Sequence, residues 1–315
     1  MSPRRLVADA GGTNVRFAIA DAEGRLDRIK IFQVTDFATF QDALSAYRAD
    51  AGGLQGIDAG AIAAAGPVDG DAVKLTNNEW IVDRAKVSAM LNGAPVALVN
   101  DLEAVAAALP HLGSDDLTAI GAPAPVRPER RTMLAVNVGT GFGAASAIFR
   151  EGRWYTCPSE AGHMTLGHVE GTAALPAETS VEDVLSGSGL ARLHEHLAGG
   201  RAGSAADVFA EAGRDAAAAR TVALFTAILG RIAGDLTLAT CAWGGVYLCG
   251  SVATAWSAIA DIERFRAEFI RKGPMRARML KVPTAVIRRD IAALYGLANA
   301  YLTLTVRRTG TASVR

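Results

Sequence analysis

The chain contains the same short pattern twice, and this repeat is the strongest constraint on its fold. The first copy spans residues 6–21 (LVADAGGTNVRFAIAD) and the second spans residues 134–149 (LAVNVGTGFGAASAIF). Each reads as an apolar strand, a glycine-rich turn that contains threonine, and a second strand. The copies lie about 130 residues apart, which indicates an internal repeat. A chain of 315 residues, half of them hydrophobic, is long enough for two domains.

Strands alternate with helical periodicity along the rest of the chain, and this predicts an α/β fold with a mixed sheet in each domain. The predicted strands are Leu6–Ala8, Val15–Ala20, Arg28–Val34, Ala61–Ala65, Pro95–Val99, Met133–Val138, Ala144–Phe149, Val246–Cys249 and Thr284–Ile287. The predicted helices are Asp36–Ala49 (capped by Thr35 or Asp36), Leu102–Leu109, Val181–His196, Ala205–Gly213, Ala216–Ala242, Ile262–Arg271 and Ile291–Leu302. The segment 111–131, rich in proline, glycine and charge, is the expected domain boundary.

The charge balance and the cysteines narrow the class of protein. Basic and acidic residues number 32 each, so no positive excess supports binding to a nucleic-acid backbone. The three cysteines form no C-x-x-C pair, which favours a reducing, cytoplasmic location. The N-terminus does not resemble a signal peptide. The most apolar region, 216–240, contains three charged residues and is predicted to be a buried helix and not a membrane span.

The first glycine turn, Asp9–Asn14, is suited to a phosphate group. Glycines let the backbone approach a ligand and adopt positive φ, and several N–H groups can then converge on one anion. Asp9 cannot contact a phosphate directly, but it can hold Mg²⁺ through water. The alternative is a plain hairpin turn, in which Asp, Gly and Asn are the usual residues.

The second glycine turn, Gly139–Gly143, formally matches the dinucleotide pattern G-x-G-x-x-A. That pattern requires a helix directly after the turn, and the six residues before Arg150 leave too little room for one. Two phosphate-binding hairpin turns, one in each half, therefore explain the sequence better than a site for NAD. The Walker motif G-x-x-x-x-G-K-[ST] does not occur in the sequence, which excludes a P-loop kinase.

Asn100 and Asp101 follow an apolar strand and precede a helix, which is where active-site groups collect in α/β folds. A carboxylate at this position can accept the proton of a substrate hydroxyl that attacks phosphorus. The alternative is a helix N-cap, a common role for both residue types.

Glu160 and His163 form a second polar cluster in a glycine-rich loop, and together they suit the hydroxyl groups of a polyol. A zinc site that also uses Cys157 and His168 is the competing interpretation, but the spacing matches no common zinc motif. Glu182 fits a capping box, with Thr179 or Ser180 as the N-cap of the predicted helix.

Seven segments in order, spanning nearly the whole chain, resemble the bacterial glucokinase family. The segments are LVADAGGTNVRFAIAD, AAAGPV with KLTNNEW, VNDLEAVAAALP, VGTGFGAA, SEAGHMTLG, EDVLSGSGL and IAALYGLANAYL. The resemblance implies a two-domain actin-like ATPase (ribonuclease H-like) fold with a cleft between the domains. It assigns residues 1–110 and 301–315 to a small domain and residues 111–300 to a large one. It also implies a cytoplasmic enzyme of glycolysis, ATP-dependent phosphorylation of glucose, and a homodimer. The balanced charge and the charged residues within the most apolar region predict that the protein binds neither nucleic acid nor membrane.

The resemblance also implies a role for each site residue. Asp101 is the expected general base. The expected sugar ligands are Asn77, Asn100, Asp101, Glu160, His163 and Glu182. The expected ATP and Mg²⁺ site comprises Ala8, Asp9, Ala10, Gly11, Gly12, Thr13, Asn14, Gly139, Thr140, Gly141 and Gly250, with Asp9 holding Mg²⁺ through water. Two alternatives remain, a kinase for another hexose such as mannose, fructose or an N-acetylhexosamine, and a non-catalytic sugar or nucleotide sensor.

Overall fold

A computed structural model describes residues 3–68, 70–76, 78–124, 130–167, 171–172, 175–199 and 203–300. Its contacts divide the chain into two compact units. The first comprises the residues up to Ala104 together with those from Ile291 onward, and the second comprises Val105–Asp290. Residues 301–315, which the sequence assigns to the small domain, lie outside the described residues.

The strands and helices follow the predicted alternation of the two types. In the first part of the chain they are β1 (Arg5–Ala10), β2 (Asn14–Ala20), β3 (Leu26–Gln33), α1 (Phe40–Asp50), β4 (Ala59–Ala64), β5 (Ala72–Lys74), β6 (Ile81–Asp83), α2 (Arg84–Met90), β7 (Val96–Asn100) and α3 (Asp101–Ala108). The remainder contains β8 (Leu117–Ala119), β9 (Met133–Val138), β10 (Phe142–Arg150), β11 (Arg153–Ser159), α4 (Gly187–Ala198), α5 (Ala205–Glu211), α6 (Ala216–Thr240), β12 (Val246–Cys249), α7 (Ser251–Ser257), α8 (Ile262–Ile270), α9 (Arg276–Met279), β13 (Thr284–Ile287) and α10 (Ala292–Asn299). The short elements β5, β6, α2, β8, β11, α7 and α9 were not predicted from the sequence.

The sheets of the two units share a five-stranded topology, to which the second sheet adds β8 as an antiparallel edge strand. The first sheet has the strand order β3-β2-β1-β4-β7, and the second has the order β11-β10-β9-β12-β13-β8. In the first sheet β1, β2 and β3 are antiparallel neighbours, and β4 and β7 run parallel to β1. In the second sheet β9, β10 and β11 are antiparallel neighbours, and β12 and β13 run parallel to β9. The internal repeat predicted from the two glycine turns is therefore confirmed at the level of strand order and direction.

The core of the first unit packs α1 against one face of its sheet. Phe17 of β2 stacks on Tyr47, with ring centroids 5.0 Å apart, and also contacts Phe40. The predicted start of this helix was wrong: α1 begins at Phe40, and its N-cap is Thr39, whose hydroxyl accepts a hydrogen bond from the backbone of Asp42. The chain at the expected start instead forms a single 3₁₀ turn that ends in extended backbone.

Helix α10 returns the chain to the first unit and packs against β1, β2, β3 and β4. Leu294 and Leu297 are fully buried there, and Arg5 of β1 donates a hydrogen bond to the carbonyl of Leu297 at 2.7 Å. Because β1 carries Asp9 near its end, this packing supports the strand that leads into the first glycine turn.

Helix α6 forms the core of the second unit. It is long and apolar enough to cross a membrane by length and composition, but 61% of its most apolar window is buried inside the protein. Phe225, Ile228 and Leu229 are fully buried in the same cluster as residues of β9 and β12. The structure thus agrees with the buried helix that was predicted here.

Candidate active site

Three parallel strands of the first unit end at the same level. Ala10 of β1 pairs with Ala64 of β4, and Ala64 pairs with Asn100 of β7. Since the carboxyl ends of parallel strands meet at one edge of a sheet, this register brings the residues around Asp9 and Asp101 to the same edge. The loop after β4 reaches the same place, because Asn100 donates its side-chain amide to the carbonyl of Gly66 at 3.2 Å.

Asp101 is the first residue of α3 and is held by the start of that helix. The backbone N–H of Leu102 donates to Oδ1 of Asn100 at 3.0 Å and to Oδ1 of Asp101 at 2.8 Å. The capping alternative is therefore correct as local geometry, and it fixes both side chains at the strand end. Burial, reinforced by the negative charge of Asp9, raises the pKa of Asp101 to about 6. This value suits a carboxylate that accepts a proton near neutral pH.

Asp9 is buried beside an arginine of the neighbouring strand. Oδ2 of Asp9 accepts a hydrogen bond from Nη1 of Arg16 at 3.0 Å, and only 13% of the Asp9 side chain is exposed. Burial raises the pKa of Asp9, and the positive charge and hydrogen bond of Arg16 oppose this rise. Sequence reasoning did not single out Arg16. The hairpin register could have revealed Arg16, because a turn that pairs Ala10 with Val15 also places residue 16 opposite residue 9.

The first glycine turn is a tight β1–β2 hairpin, as the plain-turn alternative required. The N–H of Gly11 donates to the carbonyl of Asn14 at 3.0 Å, and the carbonyl of Thr13 accepts from Val34 at 2.9 Å. The expected positive φ was wrong for Gly11 and Gly12, which are not among the residues with left-handed backbone. A Cβ at Gly11 would lie 3.2 Å from the carbonyl oxygen of Asn14, so the absent side chain matters here for space and not for φ.

The second glycine turn connects β9 to β10, and β10 stands where a dinucleotide motif requires a helix. The N–H of Gly139 donates to the carbonyl of Gly141, and the carbonyl of Gly139 accepts from Gly187 at the start of α4. Gly250 precedes α7 and has a φ of 95°. A Cβ on Gly250 would lie 2.5 Å from the Val138 carbonyl oxygen, so glycine is required there. The first turns of α4 and α7 therefore both adjoin this turn, with Thr140 exposed.

Glu160 and His163 lie together on one exposed loop of the second unit. Their side chains are 84% and 72% exposed, and Oε2 of Glu160 lies 3.8 Å from Nε2 of His163. Glu182 joins this loop, because its backbone N–H donates to the carbonyl of Gly162 at 2.9 Å. The structure thus brings together three of the predicted sugar ligands.

The capping-box interpretation of Glu182 was wrong. Helix α4 begins at Gly187, and its N-cap is Ser186, whose hydroxyl accepts from the N–H of Gly189. Glu182 lies before the helix, and its Oε2 accepts a hydrogen bond from the N–H of Phe142 at 2.7 Å. This contact joins segments 40 residues apart, which is why local sequence patterns did not reveal it.

Two residues of the sequence hypotheses, Asn77 and His168, lie outside the described residues. The second of these belongs to the zinc alternative. Within the part of the chain that the structure describes, no group of three His, Cys, Asp or Glu side chains could hold a metal ion.

Comparisons with known proteins agree on one family. The model of the glucokinase family matches residues 6–304. Glucokinase from Sinorhizobium medicae is 36% identical over 309 residues, covering 93% of this chain and 90% of the relative. A glucokinase structure from an Antarctic psychrotroph superposes with a TM-score of 0.83 at 29% identity, covering 95% of this chain and 98% of the other. A glucokinase from Streptomyces griseus, solved with glucose and AMPPNP, shares the fold, with a TM-score of 0.61, 20% identity and coverage of 94% and 98%.

These similarities agree with the shared topology of the two sheets, and the predicted fold and family are confirmed. The chain belongs to the glucokinase family.

Proposed function

We propose that this protein transfers the γ-phosphoryl group of ATP to the 6-hydroxyl of D-glucose. The observation that carries the proposal is Asp101, a partly buried carboxylate directly after β7 with a pKa raised to about 6, in a chain of the glucokinase family. The relatives named glucokinase support glucose as the acceptor, and the neighbour solved with AMPPNP supports a nucleoside triphosphate as the donor.

In this proposal Asp101 acts as the general base. Its carboxylate accepts the proton of the 6-hydroxyl while the hydroxyl oxygen forms a bond to the γ-phosphorus. The bond between that phosphorus and the oxygen bridging to the β-phosphate breaks in line, and ADP leaves with the electron pair. Most of the rate then comes from positioning and electrostatics, because phosphoryl transfer needs little covalent participation by the protein.

The remaining predicted residues bind and orient the substrates. Asn100, Glu160, His163 and Glu182 offer hydrogen-bond donors and acceptors that fit sugar hydroxyls, and the direct link from Asn100 to Gly66 fixes one of these side chains. The two glycine turns present backbone N–H groups for the phosphates of ATP.

Asp9 fits a magnesium ion that arrives with the nucleotide. One of its oxygens is committed to Arg16, and within the described residues no three-ligand cage surrounds it. This donor set suits Mg²⁺, which keeps several waters and is held by one or two carboxylates together with the substrate phosphates. The ion would neutralise charge on the β- and γ-phosphates.

The proposal is tested by an ADP-release assay with Mg·ATP and a panel of glucose, mannose, fructose and N-acetylglucosamine. We expect strong turnover with glucose, and no more than background ADP release without sugar or with Asp101→Asn. Turnover with a different hexose alone would keep the kinase and replace the substrate. No ADP release with any sugar of the panel would contradict the proposed activity and favour a non-catalytic sensor.

The finer features of the resemblance, a homodimer located in the cytoplasm and acting in glycolysis, are part of the same proposal. Size-exclusion chromatography with light scattering should give twice the chain mass of 32.7 kDa. A monomer at micromolar concentration would contradict the dimer and leave the activity unaffected.

A further inference from the structure

Glu182 lies where the sugar loop meets the second glycine turn. Here the sugar loop means residues 160–166, and the second glycine turn means residues 139–142. The carboxylate of Glu182 accepts the Phe142 N–H at 2.7 Å, and the backbone of Glu182 donates to Gly162 of the sugar loop at 2.9 Å. One residue thus bonds to both segments, which are the predicted sites for the sugar and for the phosphates.

The contacts around this residue leave little free space. A Cβ at Gly141 would lie 2.5 Å from Oε2 of Glu182. A Cβ at Gly162 would lie 2.3 Å from the carbonyl oxygen of Phe142 and 3.6 Å from Cβ of Glu182. Only glycine fits at either position while the carboxylate stays on the Phe142 N–H. A shift of the sugar loop therefore moves the support of the second turn.

Two further backbone bonds fasten the segment before Glu182 to the sugar loop. Val181 donates to the carbonyl of Met164 at 2.9 Å, and Leu166 donates to the carbonyl of Thr179 at 2.7 Å. The segment 179–182 and the sugar loop are thus paired through their backbones. The carboxylate of Glu182 connects these paired segments to the second turn.

We propose that Glu182 is a positioning residue that couples sugar binding to nucleotide binding. This inference rests on the proposed function, because it requires the sugar loop to bind a hexose and the second turn to bind ATP. A sugar hydroxyl that donates to Oε1 fixes the carboxylate plane and keeps Oε2 aligned with the Phe142 N–H. The second turn is then held in place before ATP arrives, so each ligand increases the affinity for the other by the same factor.

The test measures the affinity for AMPPNP by calorimetry, with and without saturating glucose, in the wild type and three variants. We expect glucose to tighten AMPPNP binding by about fivefold or more in the wild type. Glu182→Gln should keep most of this factor, because the amide oxygen still accepts the Phe142 N–H and the amide NH2 can donate to the sugar hydroxyl, which then acts as acceptor. Glu182→Ala should reduce the factor to about one. The control Glu178→Ala removes an exposed carboxylate directly before this segment and should match the wild type.

Loss of one charge-assisted hydrogen bond weakens glucose binding about 10- to 100-fold, so higher glucose concentrations keep the Ala variant saturated. If Glu182→Ala does not fold, Gly141→Ala displaces the carboxylate instead and should also lower the factor. The proposal is overturned if Glu182→Ala, which has no side-chain oxygen to accept the Phe142 N–H, keeps the wild-type factor. It is equally overturned if the wild type phosphorylates glucose but saturating glucose leaves its affinity for AMPPNP unchanged. A wild type that binds no hexose would instead contradict the proposed function.

Discussion

At the scale of single residues, the proposed chemistry depends on Asp101. Replacing it with asparagine keeps an oxygen that can accept the Leu102 N–H, so the local fold should survive. Because the amide cannot accept a proton, we expect kcat to fall by about 10²-fold or more, with glucose binding still measurable. Steady-state kinetics and glucose calorimetry check this expectation. Turnover close to that of the wild type would remove Asp101 from the role of general base.

The raised pKa of Asp101 predicts the pH dependence of catalysis. A base must be deprotonated to act, so kcat/KM should fall as pH decreases through about 6 and should reach a plateau above pH 7. Burial is the main cause of the shift, and the negative charge of Asp9 adds to it. A pH–rate profile from 5 to 8.5 measures it. A flat profile down to pH 5 would contradict a general base with a pKa near 6.

The same shift predicts that Asp101 lowers stability at neutral pH. Its folded pKa of about 6 exceeds the ordinary aspartate value of 3.8, so the folded state disfavours the charged form. At pH 8 this costs at most about 3 kcal/mol, and the cost disappears as pH falls below about 4. Asp101→Asn should therefore unfold at higher denaturant concentration than the wild type at pH 8. Equal stability at pH 8 would contradict the predicted cost.

At the scale of elements, two glycines with positive φ allow the effect of a steric clash to be distinguished from the effect of backbone strain. Gly250 before α7 has a φ of 95°, and a Cβ there would meet Asn137 and Val138 at 2.5 Å. Gly199 at the end of α4 has a φ of 68°, and a Cβ there would meet nothing within 4 Å.

We expect Gly250→Ala to cost more than about 2 kcal/mol and to weaken AMPPNP binding, because it combines a left-handed backbone with a steric clash. The control Gly199→Ala should cost only about 1 kcal/mol, with AMPPNP binding unchanged. Denaturant unfolding and calorimetry give both quantities. Equal effects of the two substitutions would show that crowding at the second turn is unimportant.

At the scale of the whole molecule, each unit has its own hydrophobic core. Leu294 of α10 and Leu229 of α6 are both fully buried, one in each unit. Truncation of either to alanine should cost about 2–5 kcal/mol. Hydrogen exchange should then show lost protection mainly in β1 and β4 for Leu294→Ala, and mainly in β9 and β12 for Leu229→Ala. Loss of protection in both sheets from either substitution would show that the two units unfold as one.

The sequence alone determined the repeated hairpins, most long strands and helices, and the position of Asp101 at the end of a strand. These features depend on local signals: the period of two along strands, the 3.6-residue period of helices, and glycine at tight turns. The second hairpin, β9 to β10, was recognised because no helix fits after Gly143.

Only the tertiary structure decided the environment of the charged groups and the start of α4. The pKa of Asp101 depends on burial and on Asp9, which lies on β1, far from Asp101 in the sequence. Arg16 neutralises Asp9 through the hairpin register, and Glu182 bonds to Phe142 across 40 residues of sequence. Burial and hydrogen bonds between distant residues arise only when the sheets form, so no local period in the sequence records them.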